Sequence, residues 1–329
     1  MTRTSLAAAP IALALVVVLT LFACSGERSE SGLGEPLRLR NGTFKSGELP
    51  GTPPVATGQL SPLVTSFETA STVVRPGQAE KGLAGRASPD AVAIGVRFAD
   101  LGSGWWVLPV DGPDPQNGGE LVWQALADFG VDVAPGLHPL RVVAIDGAGH
   151  AGTQRELSVC FAADIPDNLN ACQPTNAPPS AIFSLSWDTA VDLDLVVVTP
   201  DGRVVDGKHP RTVAPPPPGP TTGVDAGITA NAGTLDRDSN SGCAIDGVQR
   251  ENLVFQARPS PGSYLVYVSL FDACGQGPVH FHFSLFEPEV TADPKVLHLV
   301  ESITKTGTLL AAEASGGATL GTFVGEITF

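Results

Sequence analysis

Apolar and polar positions alternate with a period of two over several stretches of the chain, which predicts strands rather than helices. In residues 91–98, Val92, Ile94, Val96 and Phe98 fall on one face and Ala91, Ala93, Gly95 and Arg97 on the other, as in a half-buried strand. Further strands are predicted at 105–110, 120–127, 140–145 and 156–161, separated by turn-forming segments such as Asp111-Gly112-Pro113-Asp114. A second series begins where Phe183, Leu185 and Trp187 share one face and Ser184 and Ser186 the other. In the next strand Asp192 and Asp194 lie side by side, with Leu193, Leu195 and Val197 opposite. Residues 279–285 place His280 and His282 outward and Val279, Phe281, Phe283 and Leu285 inward. About three more strands follow, including 296–300 and 321–329, placed against either body or as a small cap.

The pattern predicts an all-β chain of two β-sandwich domains, immunoglobulin-like or jelly-roll-like. Composition agrees, with 37 Gly and 29 Pro among 329 residues, enough for two cores. The expected division is a signal peptide at 1–23, a flexible tether at 24–54, a first sandwich at 55–165, a Pro/Asn-rich linker at 166–180, a second sandwich at 181–288 and C-terminal strands at 289–329. The net charge of -15, one unit more negative without Arg3 of the signal, argues against a nucleic-acid partner.

At the N-terminus Arg3 precedes an apolar stretch that ends in Leu21-Phe22-Ala23-Cys24-Ser25. This resembles the lipobox of bacterial lipoproteins, which implies that Cys24 is lipidated and becomes the mature first residue. Ser25 after the Cys implies sorting to the outer membrane. The competing reading is an uncleaved membrane span. Four cysteines remain, an even number in an exported chain, and two disulfides are the default. Of three pairings, Cys160 with Cys172 and Cys243 with Cys274 keeps each bond within one structural unit. Zinc is the alternative, although there is no CxxC and no His at ligand spacing from a Cys.

In the second body, Trp187, the Asp192-Leu193-Asp194-Leu195 strand, Thr199-Pro200-Asp201-Gly202, the loop from Gly233 to Asn240, Glu251-Asn252 and Pro261-Gly262-Ser263-Tyr264 resemble the YfaP-type domain, a bacterial family of unknown function. The resemblance implies a β-sandwich in an envelope-associated protein. The chain departs from the pattern through Pro215-Pro216-Pro217-Pro218, read as an exposed polyproline loop, and through Cys243 and Cys274. The stretch from Leu140 to Gly149 resembles the closing hairpin of bacterial immunoglobulin-like adhesion modules.

Asp236, Asp238 and Asn240 offer oxygens at alternate positions, and Asp192, Asp194, Asp246 and Glu251 can complete a calcium shell. An EF-hand is excluded, because its glycine and glutamate positions hold Ser241 and Gly247. The alternative is that these acids cap turns. Trp105 and Trp106 are adjacent, so one faces the core and the other can stack on a sugar ring. Outward His280 and His282 can chelate a transition metal or simply be solvated.

No G-x-S-x-G, H-E-x-x-H or P-loop motif occurs. The expected function is a non-enzymatic, envelope-anchored binding lipoprotein that meets the membrane through its lipid and an envelope protein or glycan through its body. Calcium is the one cofactor expected. The alternatives are a polysaccharide-acting hydrolase and a carbohydrate-binding lipoprotein.

Overall fold

A computed structural model describes residues 31–55, 57–214, 231–292 and 296–329. The lipobox with Cys24 and the polyproline segment at 215–218 lie outside the described residues. The described chain is all-β, with single 3₁₀ turns at Ser241–Cys243 and Ala311–Glu313.

The first body comprises β1 (Leu37–Leu39), β2 (Thr43–Ser46), β3 (Val64–Glu68), β4 (Val73–Val74), β5 (Lys81–Ala87), β6 (Ala91–Phe98), β7 (Gly104–Pro109), β8 (Gly112–Pro113), β9 (Leu121–Phe129), β10 (Gly136–Asp146) and β11 (Arg155–Phe161). One sheet runs β1-β9-β5-β3 with β8 beside β9, and the other runs β2-β7-β6-β10-β11-β4. Inward side chains of both sheets, including Trp123, Phe98, Phe161 and Ile94, form one apolar core.

The expected tether is partly structural. Leu37 and Leu39 are 2% and 1% exposed, and β1 pairs with β9, so the first sandwich begins well before residue 55. A three-residue strand among Gly, Pro and charged residues is too short to show alternation. Val92 is a second correction: a bulge where β10 meets β6 turns Ala91 inward and leaves Val92 exposed. Of the two tryptophans, Trp106 is core and its Nε1 donates to Leu37 O at 2.6 Å, so it is unavailable for stacking on a ligand. Trp105 is half-buried against Gly95.

The segment at 166–180 is more than a linker. Cys172 is bonded to Cys160, and the Asp167 carboxylate accepts the N–H groups of Leu169 and Ala171 at 2.9 and 2.8 Å.

The second body comprises β12 (Ala181–Trp187), β13 (Asp192–Val198), β14 (Val204–Val205), β15 (Gly233–Leu235), β16 (Arg250–Phe255), β17 (Ser263–Asp272), β18 (Val279–Val290), β19 (Leu297–Leu309) and β20 (Thr322–Thr328). Its sheets run β15-β16-β12-β18-β19 and β14-β13-β17-β20. Residues beyond 288 are therefore integral to this sandwich rather than a separate cap: β19 pairs along the whole of β18, and β20 closes the edge of β17. Phe183, Phe255, Tyr264 and Phe283 meet at the centre of the core, mostly edge to face.

Candidate functional site

β13 places Leu193, Leu195 and Val197 in the core, so Asp192 and Asp194 are left on the outer face of the four-stranded sheet. The loop from β15 to the 3₁₀ turn folds over this face and brings Asp238 to them. One oxygen from each of Asp192, Asp194 and Asp238 lies within 4.8 Å of the others. They line a cleft of about 540 Å³ shared with Lys208, Ser269 and Phe271.

Asp192 is 2% exposed and its Oδ2 accepts the Gly242 N–H at 2.7 Å. Asp238 Oδ2 accepts from Ser241 Oγ at 3.0 Å. The Asp194 carboxylate accepts no hydrogen bond among the described residues. Directly across the strand pair from Asp194 stands Ser269, 1% exposed, whose hydroxyl has no partner. A buried hydroxyl without a partner is costly, and here it borders the carboxylates. Gly207 permits the close approach of the loop before β15: a Cβ there would fall 2.5 Å from Asp238 Oδ2.

The electrostatics express the crowding. Burial, opposed by the Gly242 N–H and reinforced by the charges of Asp238 and Asp272, pushes the Asp192 carboxyl up to about 6. Burial and the neighbouring Asp192 and Asp238 raise Asp194 to about 7, against a small opposing pull from Lys208. Such a cluster is an electrostatic debt in the empty state and a set of hard oxygen donors for a metal ion.

The other acids have structural duties. Glu251 is fully buried; its Oε2 accepts the Leu195 N–H at 2.7 Å and its Oε1 accepts the Ser239 N–H at 3.0 Å, which ties the acidic loop to β13. Burial raises the Glu251 carboxyl well above its ordinary range, and the nearby Asp194 adds to this. Asn240 donates from Nδ2 to Val191 O at 2.9 Å and accepts the Asp246 N–H at 3.0 Å on Oδ1. Asp246 accepts from Ser239 Oγ and the Val248 N–H. Asp236 is taken up by Asn252, through its backbone N–H at 2.8 Å and its side-chain amide at 2.9 Å. Asp236, Asn240, Asp246 and Glu251 fall outside the convergent set of Asp192, Asp194 and Asp238, and their oxygens accept from backbone and side-chain donors of the loop and its neighbouring strands. Ser269 is the residue that sequence reasoning missed, since its place opposite Asp194 depends on a strand register.

The disulfides are Cys160–Cys172 and Cys243–Cys274, with Cα–Cα distances of 5.6 Å each. The second clamps the end of the acidic loop to the end of β17. Cys243, Asp272 and Cys274 also lie close together, but both sulfurs are spent in the bond. His280 and His282 face outward and engage Thr308 Oγ1 at 2.7 Å and Glu301 Oε1 at 3.0 Å.

No protein-family model matches the chain, and no curated protein matches it. Among solved structures, the dimeric latent PorU of Porphyromonas gingivalis is 11% identical at a TM-score of 0.19, with 87% of this chain aligned; the chain spans 21% of that protein's length. The C-terminal domain of the Streptococcus agalactiae AgI/II polypeptide BspA is 9% identical at a TM-score of 0.20, covering 71% of this chain and 94% of that one. At these TM-scores the likeness carries no argument about function.

Proposed function

We propose that the protein is an exported, non-enzymatic binding protein, anchored to the bacterial envelope by lipid on Cys24, whose second sandwich holds a calcium ion. The convergence of Asp192, Asp194 and Asp238 on one point carries the cation clause. Its donors are all oxygen, the unpartnered Ser269 hydroxyl stands beside them, and calcium takes six to eight such ligands at flexible geometry. Zinc or copper would call for imidazole or thiolate, which the cleft does not offer.

Export is supported by the two disulfides, which persist in an oxidising compartment. Anchoring rests on the lipobox-like Leu21-Phe22-Ala23-Cys24, with several acyl chains supplying the binding energy. The YfaP-type resemblance of the second sandwich fits an envelope protein.

The test is thermal unfolding of the full chain with calcium, magnesium or EGTA. At calcium about a hundred times Kd, linkage gives about 2.7 kcal/mol and a rise of several degrees in Tm. Asp192→Asn combined with Asp194→Asn removes that rise. An unchanged Tm at millimolar calcium sinks the cation clause.

A further inference from the structure

The outer face of the four-stranded sheet carries an aromatic surface beside the carboxylates. Tyr267, Ser269 and Phe271 alternate onto that face along β17, with Val196 opposite Tyr267 and Asp194 opposite Ser269. On the other side of β17, Phe323 of β20 stands opposite Tyr267, with ring centroids 5.4 Å apart and planes at 61°. Phe323 is 55% exposed, and no other Phe, Tyr or Trp among the described residues is as open to solvent. Leu320, 37% exposed and three residues before Phe323, lines the cleft. From Ser269 to Tyr267 is about 7 Å along the strand, and β20 lies about 5 Å further across. The carboxylates and the aromatic pair are therefore within reach of one short oligosaccharide.

We infer that this face binds a neutral glycan, one sugar coordinating through its hydroxyls the cation held by Asp192, Asp194 and Asp238, and an adjoining sugar resting on Phe323 and Tyr267. The inference rests on the cation reading above. Three carboxylates fall short of the six to eight ligands that calcium takes, which leaves positions for oxygens entering from the cleft. A hydroxyl suits those positions because its oxygen coordinates the ion while its proton is donated to a neighbouring carboxylate. The apolar face of a sugar ring is matched by an exposed aromatic.

Charge selects among ligands. Asp206 also lines the cleft, so four carboxylates face a divalent ion and Lys208, whose ammonium lies 5.7 Å from the Phe271 ring centroid at the cleft wall. The occupied site keeps a net negative charge on a chain of net charge -15, so it repels a polyanion and leaves a neutral ligand unopposed. The exposed ring of Phe323 beside Tyr267 favours a sugar, whose ring face and hydroxyls match an aromatic surface and an ion at once.

The experiment probes the full chain against immobilised glucan, mannan and galactan oligosaccharides, with polygalacturonate and heparin fragments as acidic comparators, in calcium and in EGTA. The calcium-induced Tm shift is measured in parallel. Capture of a neutral glycan is expected in calcium and its loss in EGTA and in Asp194→Asn. Phe323→Ala, at an exposed position that leaves the core untouched, is expected to weaken capture roughly tenfold and to keep the calcium shift. A calcium shift with no neutral glycan captured overturns the inference and leaves the cation reading standing. Capture that survives EGTA or Phe323→Ala, or is confined to the acidic glycans, also overturns it. Absence of the calcium shift overturns the cation reading and the inference with it.

Discussion

Glu251 reaches from β16 beneath the acidic loop to accept the Ser239 N–H at 3.0 Å, and through this bond the fold holds Asp238 against Asp192 and Asp194. The same carboxylate accepts the Leu195 N–H, so its removal leaves two buried donors unpaired. Glu251→Ala is expected to cost about 2–4 kcal/mol in urea unfolding. It should also weaken calcium binding severalfold by releasing the loop. Unchanged calcium affinity in a folded variant would show that Glu251 does not position the site.

The raised carboxyls make stability fall with increasing pH. In the folded state Asp192 titrates at about 6 and Asp194 at about 7, while the unfolded chain releases these protons in the ordinary carboxylate range. Between those limits the folded state binds more protons than the unfolded one, so unfolding becomes easier as pH rises. In EGTA, Tm should drop from pH 5 to pH 8 more steeply in the wild type than in Asp194→Asn. The differential contribution of Asp194 is on the order of 2 kcal/mol after allowance for its partial exposure. Calcium should flatten the wild-type profile, because it binds the ionised cluster. Parallel profiles of the two proteins would refute this coupling.

What was legible in the sequence followed the reach of the interactions involved. The all-β class was written in the alternation around Ile94 and Leu185, and the disulfide pairing in the placement of the four cysteines. The adjacency of Asp192 and Asp194 follows from the period of a strand. Which acids turn to backbone duties was hidden, because Glu251 answers Leu195, 56 residues away, and Asp236 answers Asn252. Ser269 was hidden by the β13–β17 register, and β1 by its brevity.

Trp106 and Trp105 should separate cleanly by mutation. Trp106 is 5% exposed, packs at 5.4 Å on Phe44 and donates to Leu37 O, fastening β1 and β2 to the first sandwich. Trp106→Ala is expected to cost about 3–5 kcal/mol and to raise protease sensitivity between residues 31 and 55. Trp105→Ala, at a half-buried position, should cost well under that. Equal losses would contradict the placement of β1 and β2.

The two disulfides should differ in what they control. Cys243–Cys274 closes a separation of 31 residues and Cys160–Cys172 one of 12, so each adds about 3–4 kcal/mol by restricting the unfolded chain. Only the first touches the cation site, since Gly242, whose N–H holds Asp192, and Ser241, which holds Asp238, immediately precede Cys243. Replacing Cys243 and Cys274 together by Ser should therefore lower both Tm and calcium affinity. The same change at Cys160 and Cys172 should lower Tm and leave the calcium titration in place. Calorimetric titration of both variants distinguishes these outcomes. Equal calcium affinity in the two would mean that the acidic loop keeps its shape without the clamp, on the strength of Glu251 and Asn240 alone.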